Sequence, residues 1–453
     1  MGAQATVNAS QGWTQTWPPA RAAWWAVAVL TTAYIVSFVD RQILSLLIEP
    51  IRADLAISDT QVSLLGGFAF ALLYTFAGIP LAWVGDHHSR RWLIAAGAAF
   101  WSVMTALCGL SQTFWQMFWA RVGVGVGEAS LTPSAYSLMG DYFPPDKLGR
   151  PMGVYMAGGA VGSGVALVVG GAVIAATATL PSISVPLVGA LKPWQLVFVI
   201  VAIPGLVVAL LALTVREPKR VREPLQPAPA QREGRKIGPN AARYLGRNWR
   251  LYLPLFGGFA LISLMKNAIL IWTPTMFMRA HGWDASSIGY WYGAFLLTLG
   301  PLGAIGGGWI ADHLRGRGIR EGALWVVVVA TCASAPIAVS MPLVQSSSLA
   351  LVLLALLTFV LFVVGSVTPT AFQLATPNQM RAQVSAVALF VNNLLGIGFG
   401  PTLVALITDY VFGADSALSY SIAIVALVFA PLSALAFWLA LSCYRAAAPG
   451  EAT

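Results

Sequence analysis

The chain has 453 residues, of which 58% are hydrophobic and only 9% are charged. Soluble domains carry roughly 25% charged residues, so the composition excludes an ordinary soluble protein and indicates an integral membrane protein. The net charge of +9 does not indicate nucleic-acid binding, because the excess lies in one segment. Residues 216–250 hold ten Arg or Lys against three Glu, which is typical of a cytoplasmic loop beside a membrane.

The first 21 residues are polar, contain Pro18 and Pro19, and are predicted to form a cytoplasmic tail. The apolar run that follows is too long for the apolar region of a cleavable signal peptide, so we expect none. The three cysteines lie far apart in apolar runs, which favours neither a disulfide framework nor a thiolate metal site. We expect no metal, no cofactor and no catalytic residue.

Long apolar runs predict twelve membrane spans, because about 20 consecutive apolar residues can cross the hydrocarbon core as a helix. In chain order, spans 1 to 12 are predicted at 22–48, 61–84, 92–110, 114–139, 151–177, 194–214, 251–277, 286–311, 322–342, 348–373, 383–408 and 417–443. Twenty of the 26 Lys and Arg residues then lie on the side of the termini. Both termini are therefore predicted to be cytoplasmic, in a multi-pass protein of the cell (inner or plasma) membrane.

The two halves of the chain resemble each other. The stretch "WVGDHHSRR" after span 2 matches "WIADHLRGR" after span 8, which places Asp86 and Asp312 at positions 226 residues apart. This duplication predicts two pseudo-symmetric six-helix bundles at 22–214 and 251–443, which face each other across a central cavity. The bundles are predicted to be joined by a basic linker at 215–250. A short cytoplasmic tail at 444–453 is predicted to follow the second bundle.

The motifs resemble the major facilitator superfamily and, within it, the spinster-like transporters. The superfamily loop pattern Gly-x-Leu-Ala-Asp-Arg-x-Gly-Arg-Arg corresponds to residues 82–91, although Ala82 and Ser89 replace glycines. The stretches "DRQIL" in span 1, "SDTQVSLLGGFAFALLYTFAGIPLAWVGD" through span 2 and "GVGEASLTPSAYSLMGDYFP" in span 4 resemble the spinster family more specifically. The resemblance implies an all-α, twelve-helix major facilitator fold and a proton-linked secondary transporter. Animal members of the spinster family move lysophospholipids and sphingoid phosphates.

Five ionisable residues fall inside the predicted spans: Asp40, Arg41, Arg121, Glu128 and Lys266. Charges at this depth are costly, and they usually face a cavity or a partner. A purely structural role is disfavoured, because buried ion pairs often add little net stability after desolvation. A carboxyl group changes its proton affinity when a cationic partner leaves. We therefore predict Glu128 as the first proton-coupling residue and Asp40 as the second.

The cations in the spans are predicted to bind an anionic substrate. A guanidinium matches carboxylate and phosphate groups geometrically, which favours Arg41 and Arg121. Helical spacing places further polar groups on the face of Arg41. The internal repeat brings span 7 to the same cavity. Lys266 of span 7 could pair there with Asp40 or with the head group of the substrate. The other predicted substrate-binding residues are Tyr34, Ser37, Lys266, Asn267 and Asn393.

Asp86, Arg90 and Arg91 lie at the cytoplasmic end of span 2. Helix termination and cytoplasmic topology could alone explain them. The family resemblance implies more, namely that Asp86 bonds across to span 11 and locks the cytoplasmic side when the outside is open. Asp312 would do the equivalent in the second half, so these four residues form a predicted cytoplasmic gate.

The sequence thus predicts a monomeric proton-coupled carrier, not an enzyme, that works by rocker-switch alternating access. Its partners are expected to be protons, the lipid bilayer and an amphiphilic or organic anion such as a lysolipid or a sphingoid phosphate. An organic-anion/proton symporter or a drug efflux carrier of the same superfamily is the alternative. Gly162 and Ser163 stand in span 5 where antiporters often have Gly-Pro, which disfavours drug antiport. A channel or scramblase is the alternative outside the carriers.

Overall fold

The computed structural model describes residues 5–7, 14–144, 147–178, 183–185, 189–218, 241–377 and 380–447. Most of the predicted basic linker, residues 219–240, lies outside the described residues, as do parts of the N-terminal tail and residues 448–453. The described residues are mainly helical, with two short antiparallel hairpins, Ala5–Val7 with Thr14–Thr16 and Ile183–Val185 with Gly189–Leu191. The predicted all-α membrane fold is confirmed.

The helices follow the chain in two sets. The α-helices of the first half are Ala20–Leu46, Ile48–Leu55, Asp59–Ser63, Ala69–His87, Arg90–Gly109, Phe114–Glu128, Leu131–Tyr142, Gly149–Ala178 and Pro193–Thr214, with a π-helix at Leu64–Phe68. The α-helices of the second half are Ala241–Arg247, Trp249–His281, Ala285–Gly316, Gly322–Ser340, Ser347–Ala375, Arg381–Val391, Gly400–Leu406 and Leu418–Ala447. This half also has π-helices at Asn392–Phe399 and Ile407–Phe412 and a 3₁₀ turn at Asp415–Ala417.

Eleven helical segments among the described residues are long and apolar enough to cross a membrane, and they correspond to all predicted spans except span 4. Span 4 was predicted as one helix at 114–139, but it is interrupted at Ala129 and Ser130. Pro133 explains the interruption, because a proline lacks the N–H donor and its ring clashes with the carbonyl four residues earlier. Glu128 therefore lies at the end of a helix rather than inside one.

The two halves approach each other closely where glycines face the opposite half. A Cβ atom added at Gly67 of span 2 would lie 2.7 Å from the carbonyl oxygen of Ile397 in span 11. Likewise, a Cβ atom at Gly164 of span 5 would lie 2.8 Å from the carbonyl oxygen of Gly293 in span 8. Small residues allow such close backbone contact between membrane helices. Spans 2 and 5 of the first half therefore pack directly on spans 11 and 8 of the second.

Ion pairs join the two halves at the outer end of the molecule. Arg279 of span 7 donates to both carboxylate oxygens of Asp59 at 2.7 and 2.8 Å and to Glu49 at 2.7 Å. Arg52 lies 3.0 Å from Asp59 and donates to both oxygens of Asp415 at 3.0 Å. The Asp59 side chain is fully buried between the two arginines. Asp59 thus links cations from both halves.

A helix cap also crosses between the halves at this end. The backbone N–H and the hydroxyl of Thr60 both donate to one carboxylate oxygen of Asp409, at 2.7 and 2.6 Å. Thr60 lies in the first turn of the helix Asp59–Ser63, where backbone N–H groups lack partners within the helix. The second half therefore caps a helix of the first half, and the outer end of the molecule is closed.

Replacing Asp59 with Asn should open the outer end. Asn has no negative charge and only one acceptor oxygen for Arg52 and Arg279, so the link between the halves weakens. We expect spin labels at Gln112 and Gln345, on outer loops of opposite halves, to lie farther apart in the variant than in wild type. Pulsed electron paramagnetic resonance measures this distance. Lys192→Gln is the matched control, because its ion pair with Asp54 lies within the first half. An unchanged distance in Asp59→Asn would contradict this assignment.

Candidate functional site

A cavity of about 320 Å³ lies between the two halves. The first half contributes mainly aromatic side chains around Arg41, and the second half contributes polar groups and a leucine-rich wall. Among the predicted substrate-binding residues, those that line the cavity are Tyr34, Arg41, Lys266, Asn267 and Asn393. Spans 1 and 7 thus meet at one chamber, as the internal repeat predicts.

Arg41 forms an ion pair with Glu128 at the first-half side of the cavity. Its Nε and Nη2 atoms both lie 2.6 Å from the same carboxylate oxygen, Oε2. The Glu128 side chain has no exposed surface, and that of Arg41 is 15% exposed. The second carboxylate oxygen, Oε1, has no hydrogen-bond partner among the residues that the structure describes. Arg41 therefore neutralises Glu128 and leaves one buried oxygen atom unpartnered.

Three aromatic rings surround the guanidinium of Arg41. Its central carbon lies 5.0 Å from the ring centre of Phe38, 4.5 Å from that of Phe70 and 4.9 Å from that of Tyr74. Cation–π attraction at these distances favours a positive charge, most strongly away from water. The rings therefore hold Arg41 in place independently of Glu128. Phe70 and Tyr74 were not predicted as site residues, although their four-residue spacing places them on one helical face.

Arg121 and Ser37 were predicted to bind substrate, but neither lines the cavity. Arg121 is fully buried and donates to the backbone carbonyls of Asp40 at 2.9 Å, Leu65 at 3.3 Å and Arg41 at 3.4 Å. The hydroxyl of Ser37 donates to the carbonyl of Tyr34, three residues earlier in its own helix. Backbone groups satisfy both side chains, so Arg121 instead connects span 4 to spans 1 and 2.

Asp40 lies behind the cavity wall and is fully buried. Neither of its carboxylate oxygens has a regular hydrogen bond. Trp101 and Thr105 of span 3 face this carboxylate, although their indole nitrogen and hydroxyl also lack regular hydrogen bonds. Its suggested pairing with Lys266 is not found, since no ion pair of Lys266 occurs among the described residues. Asp40 is therefore a second buried carboxyl group, separate from the Arg41–Glu128 pair.

Hydrogen bonds order the polar patch on the second-half side of the cavity. The amide of Asn267 donates to the carbonyl of Ser263 at 2.8 Å, and the hydroxyl of Ser263 donates to Asn392 at 2.5 Å. The amide of Asn392 in turn donates to the side-chain oxygen of Asn393 at 3.1 Å. The two asparagines begin the π-helix Asn392–Phe399. Ser263 was not predicted, because the sequence does not indicate which span it contacts.

The predicted cytoplasmic gate residues do not bridge the halves in this conformation. Arg90 is 1% exposed and binds Asp141 at 2.5 Å and Glu217 at 2.8 Å, both in the first half. The backbone N–H of Arg91 also donates to Glu217. Asp86 and Asp312 are exposed, and neither has an ion pair or hydrogen bond within the described part of the chain. Arg90 and Arg91 thus connect span 3 to the segment after span 6. The contact across the halves, expected for Asp86 and Asp312 when the outer side is open, stays a prediction.

Comparison with known proteins identifies the family. The family model described as "Major Facilitator Superfamily" matches residues 30–401. The chain belongs to the major facilitator superfamily. It is 31% identical to an "MFS-type efflux pump" of Mycolicibacterium smegmatis, with 94% of each chain covered. It is 24% identical to a "Probable L-galactonate transporter" of Escherichia coli, covering 85% of this chain and 83% of the relative.

Two further similarities place the chain among the spinster-like members of the superfamily. It is 25% identical to "Protein spinster homolog 1" of Xenopus tropicalis over 85% of this chain and 73% of the relative. A solved structure of a bacterial homologue of the human lysosomal transporter Spinster, inward-facing and unoccupied, has a TM-score of 0.79 at 25% identity. The superposition covers 96% of this chain and 100% of that one.

Replacing Glu217 with Gln should lower thermal stability. Burial acts to raise the pKa of Glu217, but hydrogen bonds from Arg91, Arg90 and Ser89 outweigh it and hold the pKa below its ordinary value of 4.5. The stabilisation is therefore present above pH 4.5 and disappears as the pH falls through the lowered pKa. Loss of a charged hydrogen-bond acceptor costs about 1–3 kcal/mol.

The melting temperature of purified protein, measured between pH 3 and 8, tests this expectation. The difference between wild type and Glu217→Gln should be largest near pH 7 and should shrink below pH 4. Asp312→Asn is the control, because Asp312 is an exposed cytoplasmic acid. Equal melting temperatures for Glu217→Gln and wild type at pH 7 would contradict a stabilising role for Glu217.

Proposed function

We propose that this protein is a proton-coupled secondary active transporter of the cell membrane, which moves an amphiphilic or organic anion through its central cavity. Alternating access takes place by rocker-switch movement of the two halves, and the protein acts as a monomer. The observation that carries the proposal is the ion pair that Arg41, which lines the cavity, forms with the buried Glu128. This pair places a group that can bind a proton against a cation that can bind an anion.

Protonation of Glu128 is the coupling step. The unpartnered Oε1 atom is the site where a proton can bind without displacing Arg41 from Oε2. A protonated carboxyl group loses most of its attraction for the guanidinium, while the rings of Phe38, Phe70 and Tyr74 continue to favour the positive charge. Proton binding therefore releases the positive charge of Arg41 into the cavity, where it attracts the substrate anion.

Asp40 serves as the second proton site. Its carboxyl group is buried without a regular hydrogen bond, a placement that favours the neutral form of a carboxylic acid. The guanidinium of Arg121 donates to the backbone carbonyls of both Asp40 and Arg41. A change of charge at Asp40 thus acts on Arg121, which holds spans 1, 2 and 4 together. Because Arg121 also binds the backbone of Arg41, the partner of Glu128, it connects the proton sites Asp40 and Glu128.

The two ends of the molecule alternate between closed and open. In the described conformation, Asp59 and Asp409 close the outer end through partners in the opposite half. In the outward-facing conformation these contacts separate, and the cytoplasmic ends of spans 2 and 8 approach the opposite halves. Asp86 and Asp312, which are exposed here, then provide the cytoplasmic gate with spans 11 and 5.

The cavity wall favours an amphiphilic anion over a fully polar one. Leu354, Leu357 and Leu361 of span 10 line the cavity together with Phe362. A sugar acid would bury its hydroxyl groups against this wall without hydrogen-bond partners, which is costly. The similarity to the "Probable L-galactonate transporter" supports a smaller organic anion as the second candidate. The similarity to the "MFS-type efflux pump" supports export of the substrate.

Transport in proteoliposomes tests the function. We expect an imposed pH gradient to drive accumulation of a radiolabelled lysophosphatidate, and less so of L-galactonate, by wild-type protein. Glu128→Gln should lose the response to the pH gradient, because glutamine cannot exchange a proton, yet it should still exchange labelled for unlabelled substrate. Glu321→Gln is the control, since Glu321 forms a cytoplasmic ion pair with Arg445 far from the cavity.

Two results would contradict the proposal. Glu128→Gln that retains full dependence on the pH gradient would remove Glu128 from the coupling mechanism. Wild-type flux that rises linearly with substrate concentration, without saturation or exchange, would instead indicate a channel or a scramblase.

A further inference from the structure

We propose that the oxyanion group of the substrate binds first to the second half of the protein, at the amine of Lys266 and the side-chain amide of Asn393. This inference rests on the transport function proposed above and identifies the anion receptor of the inward-facing state. The two cations of the cavity thereby have separate roles. Lys266 receives the substrate, whereas Arg41 belongs to the proton-coupling pair.

Arg41 is already occupied in this conformation. Two of its guanidinium nitrogens contact Glu128 at 2.6 Å. Its central carbon lies within 5.0 Å of the ring centres of Phe38, Phe70 and Tyr74. A substrate anion that approached Arg41 would meet the negative charge of Glu128 on the same guanidinium. Arg41 is therefore a poor first contact for an anion while Glu128 is ionised.

Lys266 has the opposite character. It lines the same cavity from span 7, and its amine has no ion pair or hydrogen bond with any residue that the structure describes. An ammonium group offers three donors and no acceptor, and an unpaired charge at membrane depth is costly. A substrate carboxylate or phosphate would neutralise this charge. Lys266 is therefore the available cation of the cavity.

The direction of the neighbouring hydrogen bonds presents further donors. Ser263 donates to Asn392, and Asn392 donates to the side-chain oxygen of Asn393. Because that oxygen accepts a hydrogen bond, the NH₂ group of Asn393 remains available to donate. Both Lys266 and Asn393 line the cavity. The chain Ser263–Asn392–Asn393 thus leaves an amide donor at the wall of the cavity that the Lys266 ammonium group also lines, and both groups can donate to an oxyanion.

The same half provides the apolar part of the site. Leu354, Leu357 and Leu361 follow one another at three- and four-residue spacing, so they share one face of span 10. A volume of about 320 Å³ is near the lower end for small-molecule sites. The site therefore fits a single oxyanion joined to one apolar chain or ring. A quaternary ammonium compound of equal length would be repelled by Lys266.

Calorimetric binding of octyl phosphate to purified protein in a neutral maltoside detergent tests the inference. We expect wild type to bind octyl phosphate at least tenfold more tightly than octyltrimethylammonium. Lys266→Gln should weaken octyl phosphate binding by about tenfold or more, because glutamine has no positive charge to pair with the phosphate. Lys266→Arg should retain binding within about threefold, because the positive charge and the donors remain. Lys192→Gln is the matched control, since Lys192 pairs with Asp54 outside the cavity.

Two further variants distinguish the cations and the amide. Asn393→Asp should weaken octyl phosphate binding, because it replaces the donor with a negative charge of similar shape. Arg41→Gln should weaken binding less than Lys266→Gln does. Melting temperatures establish whether each variant is folded. If Lys266→Gln does not fold, the octyl phosphate affinities of Lys266→Arg and Asn393→Asp test the proposed receptor.

Wild-type affinity in Lys266→Gln, or in Asn393→Asp, would overturn the proposed receptor. A larger loss in Arg41→Gln than in Lys266→Gln would place the anion at Arg41 instead. Neither result bears on proton coupling, which is measured separately by transport through Glu128→Gln. Equal affinity of wild type for octyl phosphate and octyltrimethylammonium would show that the cavity does not select anions.

Discussion

The ion pair between Arg41 and Glu128 is the constraint on which the rest of the site depends. Both groups lie inside the membrane region, where an unpaired charge is costly, and the carboxylate has no exposed surface. The helix that carries Glu128 ends immediately after it, because Pro133 interrupts span 4. Arg121 fixes the other partner by binding the backbone carbonyl of Arg41. The pair therefore joins span 4 to span 1 at the place where span 4 is interrupted.

The conformation follows from where the halves are bonded to each other. At the outer end, Asp59 lies between one arginine from each half, and Asp409 caps a helix of the opposite half. At the cytoplasmic end, Arg90 and Arg445 form their ion pairs within their own halves. These cytoplasmic ion pairs therefore stabilise each half separately and do not join it to the other.

The duplicated halves have diverged in their chemistry. The shift of 226 residues that relates the halves aligns Asp40 and Arg41 with Lys266 and Asn267. The first half thus carries buried carboxyl groups with arginines, which suits proton binding. The second half carries a lysine beside a hydrogen-bonded chain of amides and a leucine wall, which suits an amphiphilic anion. The two sets meet at one cavity, which Arg41 lines from the first half and Lys266 from the second.

The sequence by itself determined the membrane class, eleven of the twelve predicted spans, the duplicated halves and the five charged residues inside the membrane. These features depend on composition, run length and spacing along the chain, which are local properties. Only the tertiary structure decided the partners of those residues. It showed that Arg121 and Ser37 bind backbone carbonyls, that Arg90 stays within its own half, and that Phe70 and Tyr74 surround Arg41. Such pairings depend on how spans that are distant in sequence pack together, because a side chain reaches only a few ångströms. The spacing of residues along one helix does not specify which other helix packs against it.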